Sequence, residues 1–131
     1  MFRKIMVAYD EGKPADKALD TAIELAKAMS AEIYIVSAYM TVDDPTRREH
    51  LEKIQSEAAR KVAQAGIKAH KKLEAGGKVL GETIAQIADD SKVDLVIMGS
   101  NNRGVVGRFM FGSVSEYLNH NLNCPVLIVK L

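Results

Sequence analysis

The chain has 131 residues, about the size of one domain, with 47% hydrophobic and 27% charged residues, which excludes a largely disordered or collagen-like protein. Lysine plus arginine numbers 18 against 17 aspartate plus glutamate, and this net charge of +1 argues against a general nucleic-acid binder. No apolar run approaches the roughly 20 residues of a membrane span, and we expect no signal peptide and no membrane partner.

The first half of the chain alternates between two hydrophobic periods. A continuous apolar run over residues 5–9 predicts a strand buried on both faces, and apolar positions at helical spacing over residues 14–29 predict a helix. The β-branched and aromatic run 33–39 predicts a second strand. One apolar face over residues 51–65 then predicts a second helix, with Gly66 as its left-handed C-terminal residue.

The second half repeats the alternation. Residues 67–74 predict a weak, polar edge strand, and a Gly-Gly loop separates it from a third helix over residues 80–91. Residues 94–98 predict a fourth, strongly apolar strand. After a long glycine-containing loop, residues 114–122 predict a fourth helix and residues 125–129 a fifth strand.

Five strands alternating with four helices predict an α/β fold with a parallel sheet and right-handed crossovers. The spacing is about 26 residues per strand, near the size of a strand–helix repeat. We expect a single domain over residues 1–131, a doubly wound sheet in the order 3-2-1-4-5 with helices on both faces. Ligands of such folds bind where the winding reverses, here between strands 1 and 4, at the loops that start at Asp10 and Gly99.

The loop after strand 4, residues 98–113, carries glycines and ends at a helix. Glycines allow backbone N–H groups to approach an anion closely, and a helix N-terminus adds positive potential. Arg103 and Arg108 add charge, so a phosphate-bearing ligand is expected. The alternative is ordinary structure, because Ser113 and Glu116 also match a capping box and loop glycines also serve turns.

Several residues along the chain match one known pattern. Gly99 is followed at the required spacing by Gly112 and Ser113, Asp10 follows a Val-Ala-Tyr strand, and residues 124–129 read Cys-Pro-Val-Leu-Ile-Val. This combination resembles the nucleotide-binding members of the universal stress protein family, whose motif is Gly-x-x-Gly, nine residues, then Gly-Ser or Gly-Thr. The resemblance covers essentially the whole chain.

The resemblance implies a fold of the adenine-nucleotide alpha-hydrolase or flavodoxin type and a nucleotide site. Its adenosine side would be lined by Ala8, Tyr9, Asp10, Ala38, Met98 and Gly99. Its phosphate side would be formed by Asn102, Arg103, Gly112, Ser113, Val114 and Ser115. The implied ligand is ATP or AMP, with or without Mg²⁺, and the implied function is that of a stress-response sensor or regulatory module.

Two departures from the family pattern leave a second function open. The second glycine of the motif is replaced by Asn102, whose side chain can crowd a phosphate or donate a hydrogen bond to it, and Glu11 adds a negative charge after Asp10. The alternative is a member that binds no nucleotide and acts as an interaction protein through dimerisation. Because Asp10 is the only obvious carboxylate at the site, we expect slow or no hydrolysis and favour a true ATPase least.

The fifth strand predicts an oligomer. Residues 125–131 would be an exposed apolar sheet edge in a monomer, and pairing with the same strand of a second copy would remove that edge. The family resemblance also implies a homodimer. The alternative is an edge shielded by the long loop.

Other motifs are weak or absent. The Gly-Gly-Lys-Val run at residues 76–79 lacks the spacing of a Walker A loop, and no nucleophile elbow occurs. His50, His70 and His120 share no metal-like spacing and are expected on the surface or on a helix face. Cys124, the only cysteine, excludes an internal disulfide, is expected to be an inert thiol, and favours a cytoplasmic location.

Overall fold

The computed structural model describes residues 2–77, 79–100 and 113–130, and within these ranges five strands alternate with four helices. In chain order they are β1 Lys4–Ala8, α1 Lys13–Met29, β2 Glu32–Met40, α2 Pro45–Gln64, β3 Ala69–Gly76, α3 Leu80–Ser91, β4 Leu95–Ser100, α4 Ser113–Asn121 and β5 Val126–Lys130. All four neighbouring strand pairs are parallel, and the order across the sheet is β3-β2-β1-β4-β5. The predicted fold class and strand order are confirmed.

Helices cover both faces of the sheet. In β1, Ile5 and Val7 belong to the apolar cluster beneath α1 and α2, whereas Met6 and Ala8 belong to the cluster beneath α3 and α4. All four side chains are fully buried. Because a strand covered on both faces needs apolar residues at every position, this layering explains the continuous apolar run that predicted the strand.

Helix α2 begins earlier than its apolar pattern predicts. The Asp44 side chain caps it by accepting a hydrogen bond from the Thr46 N–H at 2.9 Å, and Pro45 opens the first turn. This turn contains no large apolar residue, so apolar spacing alone could not locate it. The early start places Arg47 in the first turn of α2. The helix ends as predicted, with Gly66 in the left-handed region at φ 80°.

Strand β3 lies at one edge of the sheet, as predicted, but its bounds differ. The strand continues through Gly76, which pairs with Met40 of β2, so the assignment of Gly76 to a loop is wrong. Lys71 and Lys72 are exposed along this edge, where charged side chains discourage pairing with another chain. Among the helices that the structure describes, none is long and apolar enough to span a membrane.

Candidate functional site

The centre of the sheet contains the reversal of winding that the sequence predicted. β1 and β4 are neighbours, with Ile5 opposite Leu95 and Val7 opposite Ile97. From these two strands the order proceeds to β2 on one side and to β5 on the other. The carboxyl ends of β1 and β4 therefore meet at one edge, where ligands of open α/β sheets bind.

The loop after strand 4 does not start at Gly99 as predicted, because β4 continues through Ser100, and Gly99 lies in the strand against the first turn of α1. A Cβ atom added to Gly99 would be 2.3 Å from the carbonyl oxygen of Pro14 and 2.5 Å from its carbonyl carbon. Pro14 is buried at the N-terminus of α1. Helix-to-sheet packing thus requires glycine here, independently of the ligand contact that the sequence predicts for this residue.

Four of the predicted adenosine-side residues contribute side chains to the core: Tyr9 belongs to the cluster beneath α1 and α2, and the other three lie on the opposite face of the sheet. Ala8, Ala38 and Met98 are all fully or almost fully buried and belong to the cluster beneath α3 and α4. Their side chains pack in the core, so only their backbone groups are available to the ligand contact that the sequence predicts.

Tyr9 connects the end of β1 to its neighbours. Its hydroxyl donates to Asp16 Oδ1 at 2.9 Å, its backbone N–H donates to the Val36 carbonyl at 2.8 Å, and its carbonyl accepts from Ser37 Oγ at 2.6 Å. Burial and the hydrogen bond with Asp16 raise the pKa of the Tyr9 hydroxyl well above its ordinary value. Tyr9 therefore fixes the backbone that leads to Asp10, and its predicted contact with a ligand stays a prediction.

A buried polar network beneath this backbone joins α2 to the sheet. Gln55 of α2 donates through Nε2 to Ser37 Oγ at 3.0 Å and to the Lys72 carbonyl at 2.9 Å. Ser37 and Gln55 are both almost completely buried, and Ser37 Oγ in turn donates a hydrogen bond to the Tyr9 carbonyl. Buried polar groups with partners specify a single arrangement, so this network fixes the position of α2 relative to β1 and β2.

Asp10 is the buried carboxylate of the site, with 1% of its surface exposed. Its Oδ1 accepts two hydrogen bonds, one from the Glu11 N–H at 2.8 Å and one from Arg47 Nη2 at 2.7 Å. Its Oδ2 and the Nε of Arg47 are buried and have no hydrogen-bond partner among the described residues. Since a buried polar atom without a partner is costly, these two atoms mark a place where a ligand could supply what is missing.

Glu11 extends this cluster to the surface. Its Oε1 accepts from Arg47 Nη1, and its Oε2 lies 2.9 Å from Nε2 of His50, so one guanidinium joins two carboxylates. The hydrogen bond from Arg47 lowers the pKa of Glu11, against the opposing effect of burial. Burial also disfavours the charged form of Arg47, but Glu11 and Asp10 outweigh it and raise the pKa of the guanidinium. Glu11 therefore does not present a free negative charge.

The sequence predicted neither Arg47 nor His50 as a residue of this site, and His50 was expected only as a surface or helix-face residue. Both lie on α2, and the first turn of that helix has no apolar position that would have revealed it. The available signal was the Asp44-Pro45 pair, which is typical of a capped helix start. Even with that signal, contact with Asp10 depends on how α2 packs on the sheet.

The predicted phosphate side falls mostly outside the described residues. Asn102, Arg103 and Gly112 lie there, as do the side chains of Ser113 and Ser115, although Ser113 begins α4. Val114 is described, and its buried side chain packs in the cluster beneath α3 and α4.

The histidines and the cysteine behave as structural or surface residues. His70 stacks on Tyr34 with ring centroids 4.2 Å apart and lies on an edge strand, and His120 is exposed on α4. Within the described ranges no group of side chains could hold a metal ion. Burial, with nearby carboxylates, raises the pKa of the Cys124 thiol, which makes it less reactive.

Comparison with known proteins assigns the family. The sequence model of the Universal stress protein family matches residues 1–130. A universal stress protein of Thermus aquaticus, encoded 3′ of a QAH/OAS sulfhydrylase, is 33% identical, covering 99% of this chain and 100% of the relative. Universal stress protein YxiE of Bacillus subtilis is 32% identical over 99% of this chain and 100% of its own length.

Solved structures agree with these sequence matches. A crystal structure of a universal stress protein in complex with cAMP superposes with a TM-score of 0.77 at 25% identity, covering 98% of this chain and 97% of that one. The fold, the strand order and the sequence matches over nearly the full length lead to one assignment. The chain belongs to the universal stress protein family.

Proposed function

We propose that this protein binds an adenine nucleotide, ATP or AMP with or without Mg²⁺, at the edge where β1 and β4 end. It would act in the cytoplasm as a stress-response sensor or regulatory module, with slow or no hydrolysis. The observation that carries the proposal is the Asp10 carboxylate, buried at the reversal of winding with Oδ2 lacking a partner among the described residues. A related protein that binds cAMP supports adenine nucleotides as the ligand class.

The adenosine side of the proposed site supports binding rather than hydrolysis. Its described carboxylates are Asp10 and Glu11, and Arg47 pairs with both. A general base must be free to accept a proton from water, and an ion-paired carboxylate is poorly suited to that. We therefore expect no multiple turnover of ATP by the purified protein. Turnover that is lost in Asp10→Ala would instead revive the ATPase alternative.

The first experiment is binding itself. Isothermal titration with ATP, AMP and cAMP, each with and without Mg²⁺, measures affinity and preference, and mass spectrometry of gently purified protein identifies any nucleotide that copurifies. Binding of at least one adenine nucleotide below millimolar concentration is expected. Its absence at millimolar ligand would contradict the proposal.

Asp10→Asn is expected to weaken nucleotide binding by about 10–100-fold, because a hydrogen bond to a charged acceptor contributes about 1.5–3 kcal/mol. The replacement is isosteric, so packing around the side chain is preserved. Asp20→Asn is the matched control, since Asp20 is an exposed carboxylate on α1 that pairs with Lys61. If Asp10→Asn and the wild type bind the nucleotide with equal affinity, the Asp10 carboxylate does not contribute to binding.

A member of the family that binds no nucleotide is the second candidate function, and Asn102 favours it because it replaces the second motif glycine. In that case the protein acts through protein partners. Asn102→Gly separates the two candidates. If only this variant binds nucleotide, the natural chain is an interaction protein, whereas binding by both leaves the nucleotide proposal in place.

We also propose that the protein is a homodimer formed through residues 125–131. β5 is the end strand of the sheet, and Leu127 and Ile128 on it are 38% and 44% exposed. An exposed apolar edge strand favours pairing with another strand. In a dimer with a two-fold axis, β5 of the second copy is that other strand.

A further inference from the structure

We propose that Arg47, in the first turn of α2, is a positioning residue that holds Asp10 Oδ1 and thereby presents Asp10 Oδ2 to a hydrogen-bond donor of the nucleoside part of the ligand. This inference rests on the proposed function. It adds to the site a residue from α2, a helix from which the sequence predicted no ligand contact.

The two oxygens of Asp10 have different surroundings. Oδ1 accepts from the Glu11 N–H and from Arg47 Nη2, at 2.8 and 2.7 Å, whereas Oδ2 accepts from no described residue. Because two donors hold Oδ1, the carboxylate of Asp10 cannot rotate freely about its Cβ–Cγ bond, and the position of Oδ2 is fixed. The remaining acceptor suits a ligand group that donates, such as a ribose hydroxyl or an exocyclic amine. A phosphate oxygen, which only accepts, does not fit it.

Arg47 is itself held in place from two directions. Its Nη1 donates to Glu11, whose second oxygen contacts His50, so the surface side of the guanidinium is fixed. Its backbone belongs to a helix capped by Asp44 and joined to the sheet through Gln55. The Arg47 side chain is only 16% exposed. A planar fork that contacts two carboxylates with two different nitrogens is a geometry that lysine cannot reproduce.

Two other roles for Arg47 are open to the same experiment. Arg47 could compete with the ligand for Asp10, in which case removing it would strengthen binding. It could also serve only to hold α2 against the loop after β1, in which case its removal would lower stability without acting through Asp10. A positioning residue differs from both, because its effect on affinity requires Asp10.

A double-mutant cycle separates these roles. The variants are Arg47→Met, Asp10→Asn and the two combined. Arg48→Met is the matched control, because Arg48 is the next residue of α2 and pairs with exposed Glu52. Affinity for ATP or AMP, whichever the wild type binds, is measured by isothermal titration. Circular dichroism and thermal unfolding establish that each variant is folded.

We expect Arg47→Met to weaken binding by about 10-fold or more, Arg48→Met to change it less than about 2-fold, and the double variant to bind no more weakly than Asp10→Asn alone. If Arg47→Met does not fold, Arg47→Lys replaces it, with a smaller loss that again disappears in the Asp10→Asn background. Binding that is unchanged or tighter in the folded Arg47 variant overturns the inference, as do losses that simply add. If the wild type binds no adenine nucleotide, the proposed function fails first and the inference with it.

Discussion

Gly99→Ala is expected to lower the free energy of unfolding by about 3 kcal/mol or more. The added Cβ would lie 2.3 Å from the carbonyl oxygen of Pro14, which is backbone and cannot rotate away as a flexible side chain could. Either α1 shifts away from β4 or the end of β4 distorts, and overpacking of this kind typically costs about 1–3 kcal/mol and sometimes more. Urea denaturation followed by circular dichroism measures the change.

Gly77→Ala is the control for this prediction. No atom of the described residues lies within 4 Å of a Cβ added to Gly77, and Gly77 is not among the described glycines with positive φ. Its replacement by alanine should leave stability unchanged or raise it slightly, since alanine restricts the unfolded chain more than glycine does. If Gly99→Ala unfolds at the same urea concentration as the wild type, packing against Pro14 does not explain this glycine.

The architecture was predictable because it follows from local patterns. Continuous apolar runs identified β1 and β4 as strands covered on both faces, and the alternation with helices then allowed few topologies. Gly66 was identified correctly because a left-handed helix terminus has a residue preference of its own. β3 was located less well, since the pairing of Gly76 with Met40 depends on register between strands and leaves no trace in the sequence near Gly76.

The site was predictable only in part. Position at the reversal of winding correctly placed Asp10 and Gly99 at one edge of the sheet, because topology alone brings the ends of β1 and β4 together, whereas their contact with a ligand stays a prediction. The contact of Arg47 with Asp10 joins residues far apart in the chain and depends on the packing of α2, which Gln55 and Ser37 fix inside the fold. The sequence predicted that Glu11 adds a negative charge after Asp10, but it did not predict the partners of that charge, because Arg47 and His50 are not neighbours of Glu11 in sequence.

Ile128→Lys is expected to convert the proposed dimer into a monomer. The Val96 N–H donates to the Pro125 carbonyl, so in a parallel ladder the backbone groups of Ile128 face the open edge of β5. Pairing across a two-fold axis would bury the Ile128 side chain of each copy. Replacing it with lysine loses about 1.5 kcal/mol of apolar burial per copy, which weakens association by about 100-fold. Two lysines near one axis would add repulsion. Light scattering coupled to size exclusion, over a range of concentrations, measures the mass.

Val42→Lys tests whether the effect belongs to β5. Val42 is 87% exposed in the segment after β2, so the substitution makes the same chemical change away from the proposed interface and should leave the mass at that of a dimer. The two sheet edges also differ in how strongly they favour pairing with another chain. The exposed Lys71 and Lys72 disfavour such pairing at β3, whereas β5 carries exposed apolar residues. A dimer that persists in Ile128→Lys would assign the interface to another surface. A monomeric wild type would mean that the apolar edge of β5 is tolerated without a partner strand.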